Sequence, residues 1–226
     1  MTQDEAKRAV AARAVTFVED GMRVGLGTGT TATLFIRALA EKVKAGLNIR
    51  CVASSDASQS LGRSLGMDVT TLDQLPELDI YIDGADEVGP NLALIKGGGG
   101  ALLREKIVAS AAKKFIVVVD SSKIVDHLGK FPLPVEVVKM ALPLVEPRLT
   151  ALGLCPKLRP AKSGDGPYLT DEGNYILDCA CGQISDPART AAAIRAIVGV
   201  VEHGLFLNMA ALALVAGDDG VTERSA

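Results

Sequence analysis

Asp83, Asp86, Glu105, Lys96 and a run of glycines stand out within residues 79–106, DIYIDGADEVGPNLALIKGGGGALLREK. Asp83 and Asp86 follow the apolar run Ile80-Tyr81-Ile82, Lys96 leads into Gly97, Gly98, Gly99 and Gly100, and Glu105 follows on a helical pattern. Carboxylates in such a group can move protons or hold hydroxyls, while an ammonium and backbone N–H groups stabilise developing negative charge. That is the chemistry of a site handling a sugar. Four consecutive glycines are unfavourable on folding unless the backbone must approach something closely. Glu105 stands at helical spacing from Ala101, Val108 and Ala112, so its carboxylate lies on or beside an apolar stripe. The competing reading is a first-turn glutamate favoured by the helix dipole and paired with Arg104 or Lys106. Burial would raise its pKa while the dipole and Lys96 would lower it, which leaves the sign open. Asp83-Gly84 is also an ordinary turn dipeptide, and Asp86-Glu87 an ordinary solvated corner.

A second constellation is the loop of VGLGTGTTA, with Gly27, Thr28, Gly29, Thr30 and Thr31 between a strand pattern and a helix pattern. Backbone N–H groups and threonine hydroxyls at a helix N-terminus suit a phosphate. The loop matches neither GxGxxG nor GK[ST], which argues against a nucleotide cofactor. A glycine turn with helix-capping threonines is the alternative. Lys123 follows the apolar run 115–119 and falls on the same rim of strand ends, as a second phosphate contact or as a plain surface lysine. Asp56 could simply cap the helix that follows it.

The elements that must position these groups alternate. A capping box at Thr2 and Glu5 opens a helix over 2–19. Strands are expected over 23–26, 49–53, 67–72, 78–82 and 115–119, and helices over 32–43, 57–65 and 101–113. Strand–helix alternation at this spacing predicts an α/β, doubly wound, mainly parallel sheet of Rossmann-like type, with ligands at the carboxyl ends of its strands. From Phe131 the texture changes. Two prolines head a strand in FPLPVEVV, suiting an edge or the start of an element. A helix (142–152), strands at 154–158, 168–169 and 175–179, and a helix (187–196) then suggest a smaller inserted α+β subdomain over 131–205. Residues 1–130 plus 206–226 form the larger domain in this reading, with a terminal hairpin or frayed end after 215.

The formal charge of -3, from 24 Lys+Arg against 27 Asp+Glu, gives no general attraction to nucleic acid or to an anionic membrane, so any phosphate must be bound locally. The segment MTQDEAKRAV is not a leader pattern and no apolar window reaches membrane-spanning length; the expected compartment is the cytoplasm. Two histidines, His127 and His203, argue against a His-based metal centre. The four cysteines match no disulfide framework or CxxC site, and Cys179 and Cys181 read as structural thiols on one face of a strand.

In order along the chain, MTQDEAKRAV, VGLGTGTTA, SSDAS, YIDGADE, LIKGGGGALLREKI, DSSK, LGKFPLPVEV, DEGNYILD and GVVEHGLF resemble the segments of the ribose-5-phosphate isomerase type A family. The family pattern more often reads KGGGAA where this chain has KGGGGA, and threonine where it has Leu103. The resemblance implies interconversion of D-ribose 5-phosphate and D-ribulose 5-phosphate through a cis-enediolate, in the non-oxidative pentose phosphate pathway. It implies no metal and no organic cofactor, and assembly as a homodimer or homotetramer. Carried over by position, it makes Glu105 the catalytic base, with Asp83, Asp86 and Lys96 as further active-site groups. It puts the phosphate at Thr28, Thr30, Thr31 and Lys123, and Ser55 and Asp56 beside the sugar. Two alternatives are a non-catalytic phosphosugar-binding sensor and another sugar-phosphate isomerase or deaminase. The first would lose Glu105 or Lys96, and a deaminase would favour a histidine in the site.

Overall fold

The run Phe115–Asp120 is buried at every residue because the strand it forms has helices over both faces of its sheet. The computed structural model describes residues 1–225; Ala226, the last residue of the expected hairpin or frayed end, lies outside them. The chain opens with α1 (Gln3–Val15), capped as expected by Thr2 and Glu5. The helix stops at Val15 rather than 19: the Thr16 hydroxyl bonds back to Arg13 O at 2.7 Å, and Thr16, Phe17 and Val18 donate to carbonyls three residues back. Alternation follows through β1 (Arg23–Leu26), α2 (Thr30–Lys44), β2 (Arg50–Ala53), α3 (Asp56–Ser64), β3 (Asp68–Thr70) and β4 (Ile80–Asp83). Two short strands, β5 (Glu87–Val88) and β6 (Leu94–Ile95), precede α4 (Leu102–Ala111) and β7 (Phe115–Asp120). Ser55, not Asp56, caps α3, its hydroxyl accepting from Ser58 N at 3.1 Å.

A second group of elements comprises β8 (Leu133–Val137), α5 (Leu142–Ala151), β9 (Cys155–Leu158), β10 (Tyr175–Ala180), α6 (Pro187–Arg195) and β11 (Val200–His203). These strands make a four-stranded sheet ordered β11-β8-β10-β9. Its proline-headed strand β8 is interior, not an edge, and Pro134 stands at the strand's start. Residues 168–169 form no strand; Tyr168 N instead donates to Arg159 O at 2.8 Å. Cys179 is buried on β10, which raises its thiol pKa; Cys181 lies past the strand end and is half-buried.

The chain then returns through β12 (Leu205–Phe206) to β13 (Ala210–Gly217) and the hairpin strand β14 (Gly220–Ser225). The large sheet runs β14-β13-β7-β4-β1-β2-β3, parallel throughout except for the β13–β14 pair. Strand alternation sends Ile80, Ile82, Ile116 and Val118 to one face, against α1 and α2, and Tyr81, Phe115, Val117 and Val119 to the other, with Val108 of α4. A third apolar cluster, with Leu133, Val135, Val145, Leu149, Leu177 and Ile194, fills the space behind the four-stranded sheet. Strands β12, β6 and β5 form a small third sheet that carries Lys96 at its rim. No helix among the described residues is long and apolar enough to cross a membrane.

Phe35 is fully buried in the cluster that seats α2 on the sheet. Phe35→Ala should cost about 3–5 kcal/mol of unfolding free energy, read from the shift in the urea midpoint at unchanged slope.

Candidate active site

Asp83, the last residue of β4, is completely buried and accepts four hydrogen bonds. Its Oδ1 takes Thr28 N at 2.9 Å and Gly84 N at 2.7 Å. Its Oδ2 takes Lys96 Nζ at 2.9 Å and the hydroxyl of Tyr81. Burial and the adjacent carboxylates push the Tyr81 pKa far up, so it remains a donor. Gly27 allows this contact, because a Cβ there would stand 2.3 Å from Asp83 Oδ1.

Lys96 lies at the end of β6, almost fully buried, and donates to Asp83 and to Gly84 O at 2.6 Å. Burial pulls its pKa down, but Asp83 and then Glu105 outweigh burial and raise it, so it carries its charge. Glu105, in the first turn of α4, is also buried; its Oε2 lies 3.4 Å from Lys96 Nζ and has no hydrogen-bond donor among the described residues. Burial pushes the Glu105 pKa up to about 8; Lys96 opposes the shift and Asp83 and Asp86 reinforce it. Pairing with Arg104 or Lys106 does not occur. Arg104 turns to Asp56 at 2.6 Å and to Glu172, while Lys106 donates to Glu202 at 2.8 Å and His203 O at 2.6 Å. Asp86 accepts from Gly98 N at 2.8 Å, and burial raises its pKa.

These groups meet at a cavity of about 170 Å³, lined at one end by Asp86, Lys96, Gly97, Gly99 and Glu105. Its other end is the threonine loop (Thr28, Gly29, Thr30, Thr31) with Lys123. Thr30 and Thr31 are the first residues of α2, whose N-cap Gly29, at φ 101°, makes no side-chain cap. The first-turn N–H groups are thus left for an anion.

Not every expected residue lines the cavity. Asp83 and Gly27 lie behind its wall, and Gly98 is turned to Asp86. Gly100 is covered by Tyr168, whose hydroxyl lies 2.2 Å from where a Cβ would be. Ser55 is occupied in capping α3, and Asp56 is exposed and paired with Arg104, so neither borders this space. Gln3 and Lys7 of α1 do line it. The sequence marks them only as polar positions of an amphipathic helix; the packing of α1 against β7 brings them to the rim. Neither histidine lines the cavity, and among the described residues no three His, Cys, Asp or Glu side chains converge to hold a metal ion.

Because Glu105 titrates higher in the folded chain than the ordinary value of 4.5, the unfolded state loses its proton first and stability falls as pH rises through the window from 4.5 to about 8. Glu105→Gln should therefore gain stability relative to the parent between about pH 5 and about pH 9, on the order of a few kcal/mol. Urea unfolding at both ends of the range reads it, and a pH-independent difference contradicts it.

The family model described as ribose 5-phosphate isomerase A (phosphoriboisomerase A) matches residues 50–220. A ribose-5-phosphate isomerase A of Brucella suis is 50% identical over 225 residues, covering 96% of this chain and 97% of that protein. One from Roseiflexus castenholzii is 54% identical over 220 residues, covering 96% and 94%. Among solved structures, a D-ribose-5-phosphate isomerase in complex with phospho-erythronic acid superposes with a TM-score of 0.97 at 39% identity, covering 100% of both chains. The ribose 5-phosphate isomerase A of Methanocaldococcus jannaschii gives 0.95 at 40%, also over 100% of both. Agreement in sequence over nearly the whole length, and in fold over all of it, means that the chain belongs to the ribose 5-phosphate isomerase A family.

Proposed function

We propose that this chain interconverts D-ribose 5-phosphate and D-ribulose 5-phosphate, with Glu105 as the base. The observation that carries the reading is Glu105 itself: a buried carboxylate whose Oε2 has no hydrogen-bond donor among the described residues, 3.4 Å from a buried ammonium and lining the cavity. Ionised Glu105 removes the proton from C2 of the open-chain aldose; the C2–H electrons form the C1–C2 double bond, and the carbonyl electrons move onto O1. Lys96 and the Gly99 N–H stabilise that charge. Transfer of the O2 proton to O1, re-formation of a carbonyl at C2 and delivery of the Glu105 proton to C1 give the ketose. Asp86, on the cavity wall, holds a sugar hydroxyl and assists ring opening. Asp83 acts by holding Lys96 and the two loops in place, since its four accepted bonds leave little room for substrate.

The phosphate goes to the other end, to Thr28, Thr30, Thr31, the α2 N-terminus, Lys123 and Lys7. Binding there, remote from the reacting carbons, orients them. Phospho-erythronic acid is the ligand in the solved relative. It carries a carboxylate where this reaction develops an enediolate, and it is expected to inhibit here. In this proposal 1–130 plus 206–226 carry the chemistry and 131–205 form a separate subdomain, a division supported by the four-stranded sheet, whose strands all fall within residues 133–203. Assembly as a homodimer or homotetramer in the cytoplasm belongs to the same proposal.

Ribose 5-phosphate incubated with the protein in EDTA should yield the ketose. Glu105→Gln should retain substrate affinity but lose on the order of 10²–10⁴-fold in kcat; normal turnover in that variant sinks the assignment. Activity requires ionised Glu105, so kcat/KM should rise with pH through a limb near 8, above the phosphate ionisation at about 6. Lys123→Ala should chiefly raise KM, and an unchanged KM removes Lys123 from the phosphate end.

A further inference from the structure

The glycine turn 97–100 is held largely from outside. Only one hydrogen bond closes it internally, Gly100 N to Gly97 O at 3.0 Å. The carbonyls of Gly97 and Gly98 both accept from Nη1 of Arg159, at 3.0 and 3.3 Å. Arg159 directly follows β9, and its side chain is 13% exposed. Asp178 of β10 takes the other side of the guanidinium, at 2.8 Å from Nε and 2.5 Å from Nη2. A fork held in this way leaves Nη1, with two N–H groups, for two carbonyls. The guanidinium also lies 5.7 Å from the ring centroid of Tyr168, the residue that covers Gly100.

The consequence follows from peptide geometry. In a planar trans peptide the C=O and N–H point in opposite directions. Turning the Gly97 carbonyl to Arg159 sends the Gly98 N–H the other way, where it meets Asp86 at 2.8 Å. Turning the Gly98 carbonyl to Arg159 likewise sends the Gly99 N–H away from the guanidinium. Gly99 lines the cavity, and its N–H has no partner among the described residues. A cation on the carbonyl oxygen also polarises the same amide and strengthens its N–H as a donor.

We propose that Arg159 is a positioning residue of the isomerase site: from the small subdomain it holds the glycine turn so that the Gly99 N–H faces the developing enediolate. This rests on the function proposed above. Arg159 touches no substrate. It acts through the backbone, and Asp178 acts through Arg159.

The test is Arg159→Met and Arg159→Lys, measured for turnover of ribose 5-phosphate and for inhibition by two ligands. One ligand is phospho-erythronic acid, with a carboxylate at the reacting end; the other is ribitol 5-phosphate, uncharged there. Both variants should lose at least about tenfold in kcat with little change in KM, because a misdirected donor affects the transition state more than phosphate binding. Both should bind phospho-erythronic acid about tenfold more weakly and ribitol 5-phosphate nearly as well as the parent. Lysine keeps the charge but cannot hold Asp178 and two carbonyls together, so it should share the loss; it also supplies a folded variant if methionine does not fold. Equal weakening of both ligands, or full activity in a folded Arg159→Lys, overturns the proposal. If the parent neither isomerises ribose 5-phosphate nor binds phospho-erythronic acid, the functional reading itself fails; a normal parent with variants that do not discriminate the ligands sinks only the role of Arg159.

Discussion

The buried carboxylate of Asp83 is the contact on which the rest of the site depends. It ends a central strand, and its four donors come from the threonine loop, the turn after β4, the strand itself and the end of β6. A carboxylate taken out of water needs charge and hydrogen bonds in return. Here one ammonium, one hydroxyl and two backbone N–H groups provide them. Breaking such a buried pair typically costs about 3–5 kcal/mol, because the remaining charge is left without compensation. Segments far apart in sequence are thereby bound to one another at the place where the cavity forms.

That arrangement also sets the electrostatics. One buried ammonium serves two buried carboxylates, Asp83 at 2.9 Å and Glu105 at 3.4 Å. Asp83 has three further donors and Glu105 Oε2 has none among the described residues. Burial with so few donors pushes the Glu105 pKa up to about 8, whereas the Asp83 carboxylate is enclosed by its four donors. Two buried acids beside one lysine thus differ in their hydrogen-bond supply.

The fold distributes the work over the carboxyl ends of several strands. Parallel β1, β4 and β7 bring the threonine loop, Asp83 and Lys123 to one rim, as open α/β sheets do. The Lys96–Glu105 part of the cavity is built differently. Lys96 and Glu105 flank a glycine turn whose carbonyls are gripped by Arg159 from the end of β9 in the four-stranded sheet. Arg159, which directly follows β9, thus touches the glycine turn through its backbone carbonyls, and no residue of 131–205 lines the cavity.

Residue type and period were enough to determine the alternation of strands and helices, the capping box at Thr2 and Glu5, the glycine loops, and the charged groups of residues 79–106, because these depend on neighbours within a few positions. Tertiary structure decided the rest. The sign of the Glu105 shift depends on how deeply α4 is buried and on Lys96 and Asp83 lying nearby, which no local pattern contains. Asp83 is enclosed because four donors converge on it, Asp56 pairs with Arg104 and does not line the cavity, and Lys7 lines it because α1 packs beside β7. Arg159 stands in an unremarkable stretch of sequence, and its grip on the glycine turn exists only where β9 and β10 are folded against residues 97 and 98. Local propensity acts over a few residues, whereas desolvation and hydrogen-bond supply are summed over every atom that the fold brings near.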